Sequence, residues 1–375
     1  MGIDACAFHD WSTVSELAGY LPDGWREVIM RQGDPTGPLV IKSKWAHRNP
    51  LGDKAAWAYP EKGMPGSSRE LTTRQLLEER GLDRLVLGYD EGLLASAHPL
   101  HHLAHVVVSA ANDWTAAEWL ARDDRLFGLI LVSTSMPDEA AKEIRRCAGN
   151  PRFVGVALGH NGLGRPFGHP VYHPIYDAAA EAGLPIVIQV GSEATADSST
   201  VPLAGGRPQT YGEYHAIGHT PFLNHVTSFI TQGVFESYPS LRLLLLGGGV
   251  GWMPSHLWRM DSLFSEVPMD APWLTRQPSE YFLDHVRLST YSLEVPPDPA
   301  RLEQLLSTVP DPASLLVYAS GYPNWDTEGP EEIGARLPQA WHDRVFEQNA
   351  AELFRWPEGS GDGAVGPAAP TVAEA

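Results

Sequence analysis

The chain has 375 residues, of which 43% are hydrophobic and 19% charged, a balance typical of a globular protein with a large core. Its formal net charge of −19 argues against a nucleic-acid partner, because phosphate binding needs a clustered cationic surface. Two cysteines make no disulfide framework, and neither a signal peptide nor a membrane span is recognisable, so we expect a cytoplasmic protein that binds no membrane.

Short apolar, β-rich runs recur along the chain, and each is followed by a helical pattern. The predicted strands are Ile3–Phe8, Arg84–Tyr89, Phe127–Ser133, Phe153–Gly159, Pro185–Gly191, Arg242–Gly248, Val286–Ser292 and Leu315–Ser320. The predicted helices are Thr72–Arg80, Leu100–Ala121, Pro137–Cys147, Tyr172–Ala182, Phe222–Phe235, Trp252–Phe264, Pro299–Leu306 and Pro330–Phe354. Strands that are apolar throughout are typical of parallel sheets covered on both faces. The alternation predicts an α/β fold, a closed (β/α)8 TIM barrel, with an open doubly wound sheet as the rival.

Two long segments interrupt the regular alternation. Residues 10–83 separate the first two strands, and residues 192–220 follow the fifth strand. Both come after the carboxyl end of a strand, where the active sites of barrel enzymes are built, so we expect them to cap a substrate pocket. We therefore predict a single barrel domain over residues 1–356 with two insertions. The small, polar residues 357–375 are predicted to be a disordered tail.

Several strings resemble one known family. They are HPIYDAAAEAGLPIVIQVGS from residue 173, QGVFESYPSLRLLLLGGGVGWMPSHLWRMD from 232, LLVYASGYPNWDTEGP from 315 and EQNAAELFRW from 347. On these strings the chain resembles the amidohydrolase-related family, whose members include metal-dependent hydrolases and decarboxylases. The resemblance extends from Ile3 to Phe354 and implies the amidohydrolase type of TIM barrel.

The family's catalytic metal needs several nitrogen or oxygen ligands that converge from different strands. This sequence departs from the family pattern at nearly every one of those positions. His9 remains, but the others are Ala7, Gln189, Gly247, Gly321 and Asn324. We therefore predict no catalytic metal and no other cofactor. If the backbone has stayed family-like, ligands installed together at residues 7, 189, 247 and 321 should restore some metal binding.

The candidate site residues lie at the carboxyl ends of the predicted strands. We predict His9 and Asp326 as catalytic residues. The predicted substrate-binding residues are Gln189, Asn324, Tyr322, His160, Tyr291 and Glu193. His9 is expected to point into the barrel mouth, to titrate near neutral pH and to pair with Asp326. On that hypothesis His9→Ala lowers turnover and leaves the fold intact.

These features predict an enzyme that acts on a small organic molecule without a catalytic metal. Its acid–base chemistry would be hydrolysis, decarboxylation or a related lyase or cyclisation step, with natural-product biosynthesis as the setting we expect. One alternative is a non-catalytic barrel that binds a small molecule or a partner protein. A second is a relocated metal bound by residues drawn from Cys6, His9, Asp10, His160 and Asp326. The resemblance also allows a homodimer or larger homo-oligomer.

Overall fold

A computed structural model describes residues 2–32, 54–159, 164–189 and 210–356. Its eight strands form one parallel sheet in chain order. They are Ile3–Phe8 (β1), Arg84–Gly88 (β2), Leu126–Leu131 (β3), Phe153–Leu158 (β4), Ile186–Gln189 (β5), Leu243–Leu246 (β6), Val286–Ser289 (β7) and Leu316–Val317 (β8). The amide of Ala5 donates to the carbonyl of Tyr318 at 2.9 Å, and that of Phe8 donates to Tyr322 at 2.6 Å. These bonds join β1 to the last strand, so the predicted barrel is confirmed.

Helices separate the strands. The α-helices are Asp23–Gln32 (α1), Arg69–Thr73 (α2), Glu91–Ser96 (α3), His101–Thr115 (α4), Pro137–Cys147 (α5), His173–Ala182 (α6), Tyr211–Ala216 (α7), Thr220–Thr231 (α8), Val234–Ser237 (α9), Met253–Glu266 (α10), Pro278–His285 (α11), Ala300–Leu306 (α12), Pro330–Gly334 (α13) and Asn349–Leu353 (α14). Short 3-10 or π segments are Val14–Tyr20, Ala56–Ala58, Arg74–Glu79, Ala116–Leu120, Pro170–Tyr172, Pro268–Asp270, Pro312–Ser314, Gln339–Trp341 and Arg344–Gln348. Over the described part of the chain, no helix is both long and apolar enough to span a membrane.

The strands are buried on both faces, as their apolar runs predict. Every residue of β5 and β6 is buried, and the two strands pair in register from Ile186 with Leu243 to Gln189 with Leu246. Burial of a large aliphatic side chain contributes about 1.5–3 kcal/mol, so this sheet is the main source of stability. Because all strands are parallel, their carboxyl ends meet at one face of the barrel, which is called the mouth below.

Some helices end earlier than predicted because a glycine or a proline interrupts them. Gly183 ends α6 in the left-handed conformation, as predicted. The helix predicted over Phe222–Phe235 divides into α8 and α9, because Gly233 adopts a φ of +72° between them. The helix predicted over Pro330–Phe354 is broken into shorter pieces, and Pro338 lies at the first break. Helix α11 was not predicted, since it leads into β7 without an intervening turn signal.

Candidate functional site

A chain of hydrogen bonds crosses one side of the mouth. The ammonium group of Lys54 donates to Oδ1 of Asn324 at 2.7 Å, and Nδ2 of Asn324 donates to the hydroxyl oxygen of Tyr291 at 3.0 Å. The Tyr291 hydroxyl in turn donates to Oδ1 of Asp326 at 3.2 Å. Of these four residues, Asn324, Tyr291 and Asp326 are predicted site residues that the fold brings into direct contact. We call them, with Lys54, the mouth chain.

Lys54, the first residue of the mouth chain, belongs to the first insertion. Lys54 forms an isolated antiparallel bridge with Asn324, which fixes its backbone beside the loop that follows β8. Its side chain is only 9% exposed and forms an ion pair with Asp90, the second residue after β2. The loop after β8 and the end of β2 are therefore linked through one nearly buried cation, which needs this carboxylate partner to be stable there.

Asp326 ends the mouth chain in a partly buried position beside a histidine. Burial raises the pKa of Asp326 above its ordinary value of 3.8, and the neighbouring His215 opposes that rise. Nε2 of His215 lies 3.6 Å from Oδ2 of Asp326, and the Ser292 hydroxyl donates to the same oxygen at 3.4 Å. The side chain of Asp326 is 15% exposed and that of His215 is 42% exposed. The half-exposed histidine therefore lies between the buried carboxyl and the solvent.

Aromatic rings border this acidic end of the mouth. The indole nitrogen of Trp325 donates to the hydroxyl of Tyr211 at 2.6 Å. The ring of His215 stacks on Tyr211 with centroids 5.6 Å apart and lies 5.8 Å from the ring of Trp325. Trp325 remains 43% exposed. The three side chains offer a half-exposed aromatic surface beside Asp326.

The ring of Tyr291 lies over the mouth itself. Its edge faces the ring of Phe8 at a centroid distance of 5.9 Å. A Cβ atom on Gly321 would lie 2.2 Å from this ring, and one on Gly247 would lie 3.4 Å from it. Both glycines have positive φ angles, +67° at Gly321 and +82° at Gly247. Two of the positions that lack the family's ligands are thus shaped around a tyrosine ring.

The described residues do not fit the metal that the resemblance implies. Ala7, Gly247 and Gly321 offer no side-chain ligand, and Tyr291 takes the space that a side chain on residue 321 would need. Within the described ranges, no group of three or more histidine, cysteine, aspartate or glutamate side chains could hold a metal ion. Of the residues in the second alternative, a relocated metal, the described ones, Cys6, His9, Asp10 and Asp326, form no such group, and His160 lies outside the described residues.

His9 does not point into the mouth, so that prediction is wrong. Its side chain is completely buried. Nδ1 donates to the carbonyl of Gly88 at 2.7 Å, and Nε2 lies 2.8 Å from the hydroxyl of Thr115 in α4. Its ring stacks on Trp114 and meets Trp119 edge-on. Phe8, the preceding residue, contacts the ring of Tyr291 instead.

The environment of His9 also contradicts its predicted titration. Burial lowers the pKa of His9 to about 4, and the Gly88 carbonyl only partly offsets that effect. Since the carbonyl can only accept, neutral His9 accepts at Nε2 from Thr115, whose oxygen is 2.6 Å from the Tyr89 hydroxyl. His9 is also no partner of Asp326, whose histidine neighbour is His215. His9 belongs to a sealed polar network of the core.

The remaining predicted substrate-binding residues are not part of the mouth chain. Tyr322 is fully buried, and its hydroxyl donates to Oε1 of Gln75 at 2.9 Å while its ring lies against Trp57. It therefore packs against the first insertion, and its contact with substrate stays a prediction. Gln189 is buried at the end of β5, and its contact with substrate stays a prediction. His160 and Glu193 lie outside the described residues.

Three residues of the site were not predicted. Asp90 directly follows the predicted second strand, and a polar residue at that position is itself a signal of a barrel site. Lys54 and His215 come from the two insertions, whose path to the mouth no local pattern reveals. Only contacts between residues distant in sequence bring them together.

Comparison with known proteins places this geometry in context. Residues 96–356 match the family described as Amidohydrolase. The chain is 25% identical over 277 residues to a gamma-resorcylate decarboxylase from Rhodococcus jostii (strain RHA1), covering 68% of this chain and 80% of that protein.

Solved structures share the fold at lower identity. An amidohydrolase from Mycobacterium avium subsp. paratuberculosis K-10 superposes with a TM-score of 0.69 at 16% identity, covering 96% of this chain and 99% of that one. A 5-carboxyvanillate decarboxylase from Novosphingobium aromaticivorans DSM 12444, solved with manganese and 4-hydroxy-3-methoxy-5-nitrobenzoic acid, superposes with a TM-score of 0.65 at 18% identity. That match covers 95% of this chain and 96% of that one.

Proposed function

The chain belongs to the amidohydrolase family, and from that premise we propose that it is a lyase that decarboxylates a small hydroxylated aromatic acid without a catalytic metal. The observation that carries this proposal is the mouth chain, in which Lys54, Asn324, Tyr291 and Asp326 are joined by hydrogen bonds. The similarity to a gamma-resorcylate decarboxylase supports the reaction class. The absence of side-chain ligands at residues 7, 247 and 321 supports the metal-free part.

Asp326 would supply the proton. In such a decarboxylation, a proton adds to the ring carbon that bears the carboxylate, the bond to that carboxylate breaks, and its electron pair returns to the ring as carbon dioxide leaves. Burial raises the pKa of Asp326, which keeps the carboxyl proton available at higher pH than in an exposed aspartate. His215, 3.6 Å away and partly exposed, would return a proton to Asp326 after each turnover.

Lys54 and the aromatic rings would position the substrate. Lys54 is the nearly buried cation of the mouth, and it would attract a carboxylate while Asn324 holds the ammonium group in place. The half-exposed surface of Trp325, Tyr211 and His215 would stack against an aromatic ring beside Asp326. Both contacts favour a flat, negatively charged aromatic molecule over a sugar or a peptide.

A product assay on the purified protein tests this proposal. The protein is incubated with a panel of hydroxybenzoates, including 2,6-dihydroxybenzoate, and the phenol product is measured by chromatography. We expect turnover that a chelator does not reduce. Asp326→Asn should lower that turnover by about 10²–10⁴-fold. Asp270→Asn, which alters a carboxylate in the loop before α11, should leave it unchanged.

A non-catalytic binding barrel is the second candidate, favoured by the Tyr291 ring that lies over the mouth against Phe8. The same panel separates the two functions. Binding of a hydroxybenzoate without any product would support the binding barrel. Turnover that disappears with chelator and returns with manganese would contradict the metal-free chemistry while leaving the reaction class intact.

A further inference from the structure

A cavity lies at the face of the barrel opposite the mouth. Its volume is about 650 Å³, and its lining comes from the amino ends of the last three strands. Arg242 precedes β6, Arg287 is the second residue of β7, and Arg344 begins the π segment that follows α13. The proposed function uses none of these residues.

Two of these arginines lack a carboxylate partner. Nη1 of Arg242 donates to the carbonyls of Pro239 and Leu241, both at 3.0 Å. Nη1 of Arg287 donates to the carbonyls of Leu283 and Val286 at 3.0 and 2.9 Å. Among the described residues, neither guanidinium has an aspartate or glutamate within ion-pair distance, although Asp284 attracts both from further away.

The remaining donors of both groups are free for a ligand. Each guanidinium has five N–H donors, and only those of Nη1 bond to backbone here. Burial lowers the pKa of Arg287, the neighbouring Arg242 and Arg344 lower it further, and Glu352 and Asp284 oppose that effect. Arg344 is paired with Glu352 at 2.6 Å, so the repulsion that a bound anion would relieve is mainly that between Arg242 and Arg287.

The acidic residues around the cavity are mostly engaged elsewhere. Asp284 pairs with Arg276 at 2.5 Å, and Glu280 accepts from the amide of Gln277 at 2.8 Å. Glu236 accepts from Tyr281 and from the Thr275 hydroxyl. Asp311 stands at the rim in a left-handed backbone conformation. None of these carboxylates forms a direct ion pair with Arg242 or Arg287, and Asp284 reaches them only through longer-range attraction.

We propose that this cavity binds a small multivalent oxyanion, a phosphate or a dicarboxylate, between Arg242, Arg287 and Arg344. Guanidinium groups match the geometry of such oxygens and bind them with two parallel hydrogen bonds. The net charge of −19 makes general attraction of anions unfavourable, so a site here depends on this local arrangement of arginines. The bound anion would tie together the amino ends of β6 and β7 and the segment after α13.

Thermal unfolding in different anions tests the proposal. Inorganic phosphate and succinate are each compared with sodium chloride at the same ionic strength. We expect at least one of them to raise the melting temperature of the full chain by about 2–5 °C, because a ligand that binds only the folded state stabilises it. Which anion acts identifies the ligand as a phosphate or a carboxylate.

Arginine variants test whether the rise in melting temperature comes from an anion bound in this cavity. Arg287→Gln and Arg242→Gln should each abolish the shift, whereas Arg145→Gln, which removes an exposed arginine paired with Glu181 on another face, should retain it. If Arg287→Gln does not fold, the Arg242→Gln variant and calorimetric titration of the wild type with phosphate and succinate decide the question. An equal shift in all variants, or no shift beyond chloride with either anion, would overturn the proposal.

Discussion

Two polar networks at the carboxyl ends of the strands use similar side chains in different surroundings. The network of His9, Thr115 and Tyr89 is completely buried between β1, β2 and α4. The mouth chain ends at Asp326 and His215, whose side chains are 15% and 42% exposed. Burial keeps His9 neutral, while the side chains of Asp326 and His215 reach the solvent-accessible surface. The surroundings, rather than the residue type, therefore distinguish the histidine of the core network from the histidine of the mouth.

The two networks should differ most in how much their histidines contribute to the stability of the fold. His9→Ala should lower the free energy of unfolding by about 3–4 kcal/mol, because it opens a cavity and leaves Gly88 and Thr115 without their partner. This reverses the expectation that His9→Ala leaves the fold intact. His215→Ala should change that free energy by less than about 0.5 kcal/mol. Urea unfolding measures both, and equal midpoints for the two variants would contradict the comparison.

A decrease in pH should change the contributions of the two networks to the free energy of unfolding in opposite directions. The pKa of His9 falls from 6.5 to about 4 on folding, so the unfolded chain takes up a proton first as the pH decreases. His9 should therefore cost up to about 3 kcal/mol of stability between pH 6.5 and 4. The pKa of Asp326 is raised on folding, so its contribution becomes more favourable as the pH falls towards 3.8.

Stability curves of two variants would resolve these contributions. His9→Gln should flatten the loss of stability below pH 6.5, and Asp326→Asn should make the loss steeper at the acidic end. Melting temperatures recorded at half-unit steps between pH 4 and 7.5 provide the measurement. Parallel curves for wild type and His9→Gln would show that His9 titrates normally.

Gly321 should tolerate no side chain beside Tyr291. Gly321→Ala should lower stability by about 2 kcal/mol, since its φ is +67° and its Cβ would lie 2.2 Å from the ring. Gly212→Ala, in α7 with no atom within 4 Å, is the matched control and should have little effect. Adding Tyr291→Ala should recover much of the loss if the ring is its cause.

On this geometry, ligands installed at residues 7, 189, 247 and 321 alone should not restore manganese binding.

The smallest expected effect comes from single hydroxyl groups. Tyr291→Phe and Tyr89→Phe should each cost about 1 kcal/mol of stability, the value of one hydrogen bond. Only Tyr291→Phe should raise the pKa of Asp326, because it removes a donor to that carboxylate. The pH–rate profile on the hydroxybenzoate substrate should therefore shift to higher pH in Tyr291→Phe and stay in place in Tyr89→Phe. A shift in both variants would mean that the two networks are coupled.

Much of the fold could be predicted because the signals are local. Apolar runs such as the one around Leu243–Leu246 identify strands covered on both faces, and Gly183 marks the end of a helix. The division at Gly233 could not be predicted, because a glycine within a helical pattern reveals its φ only in the folded chain. Helix α11 was missed for a similar reason, since it meets β7 directly.

For the site, the sequence alone determined that Tyr291, Asn324 and Asp326 follow the last strands of a barrel and that most of the family's metal ligands are missing. Strand order is enough for this, because parallel strands bring their carboxyl ends to one face. Only the tertiary structure decided that His9 faces α4, that Tyr291 covers Gly321, and that Lys54 reaches Asn324. Those outcomes depend on side-chain direction and on contacts between distant segments, which no local pattern of residues encodes.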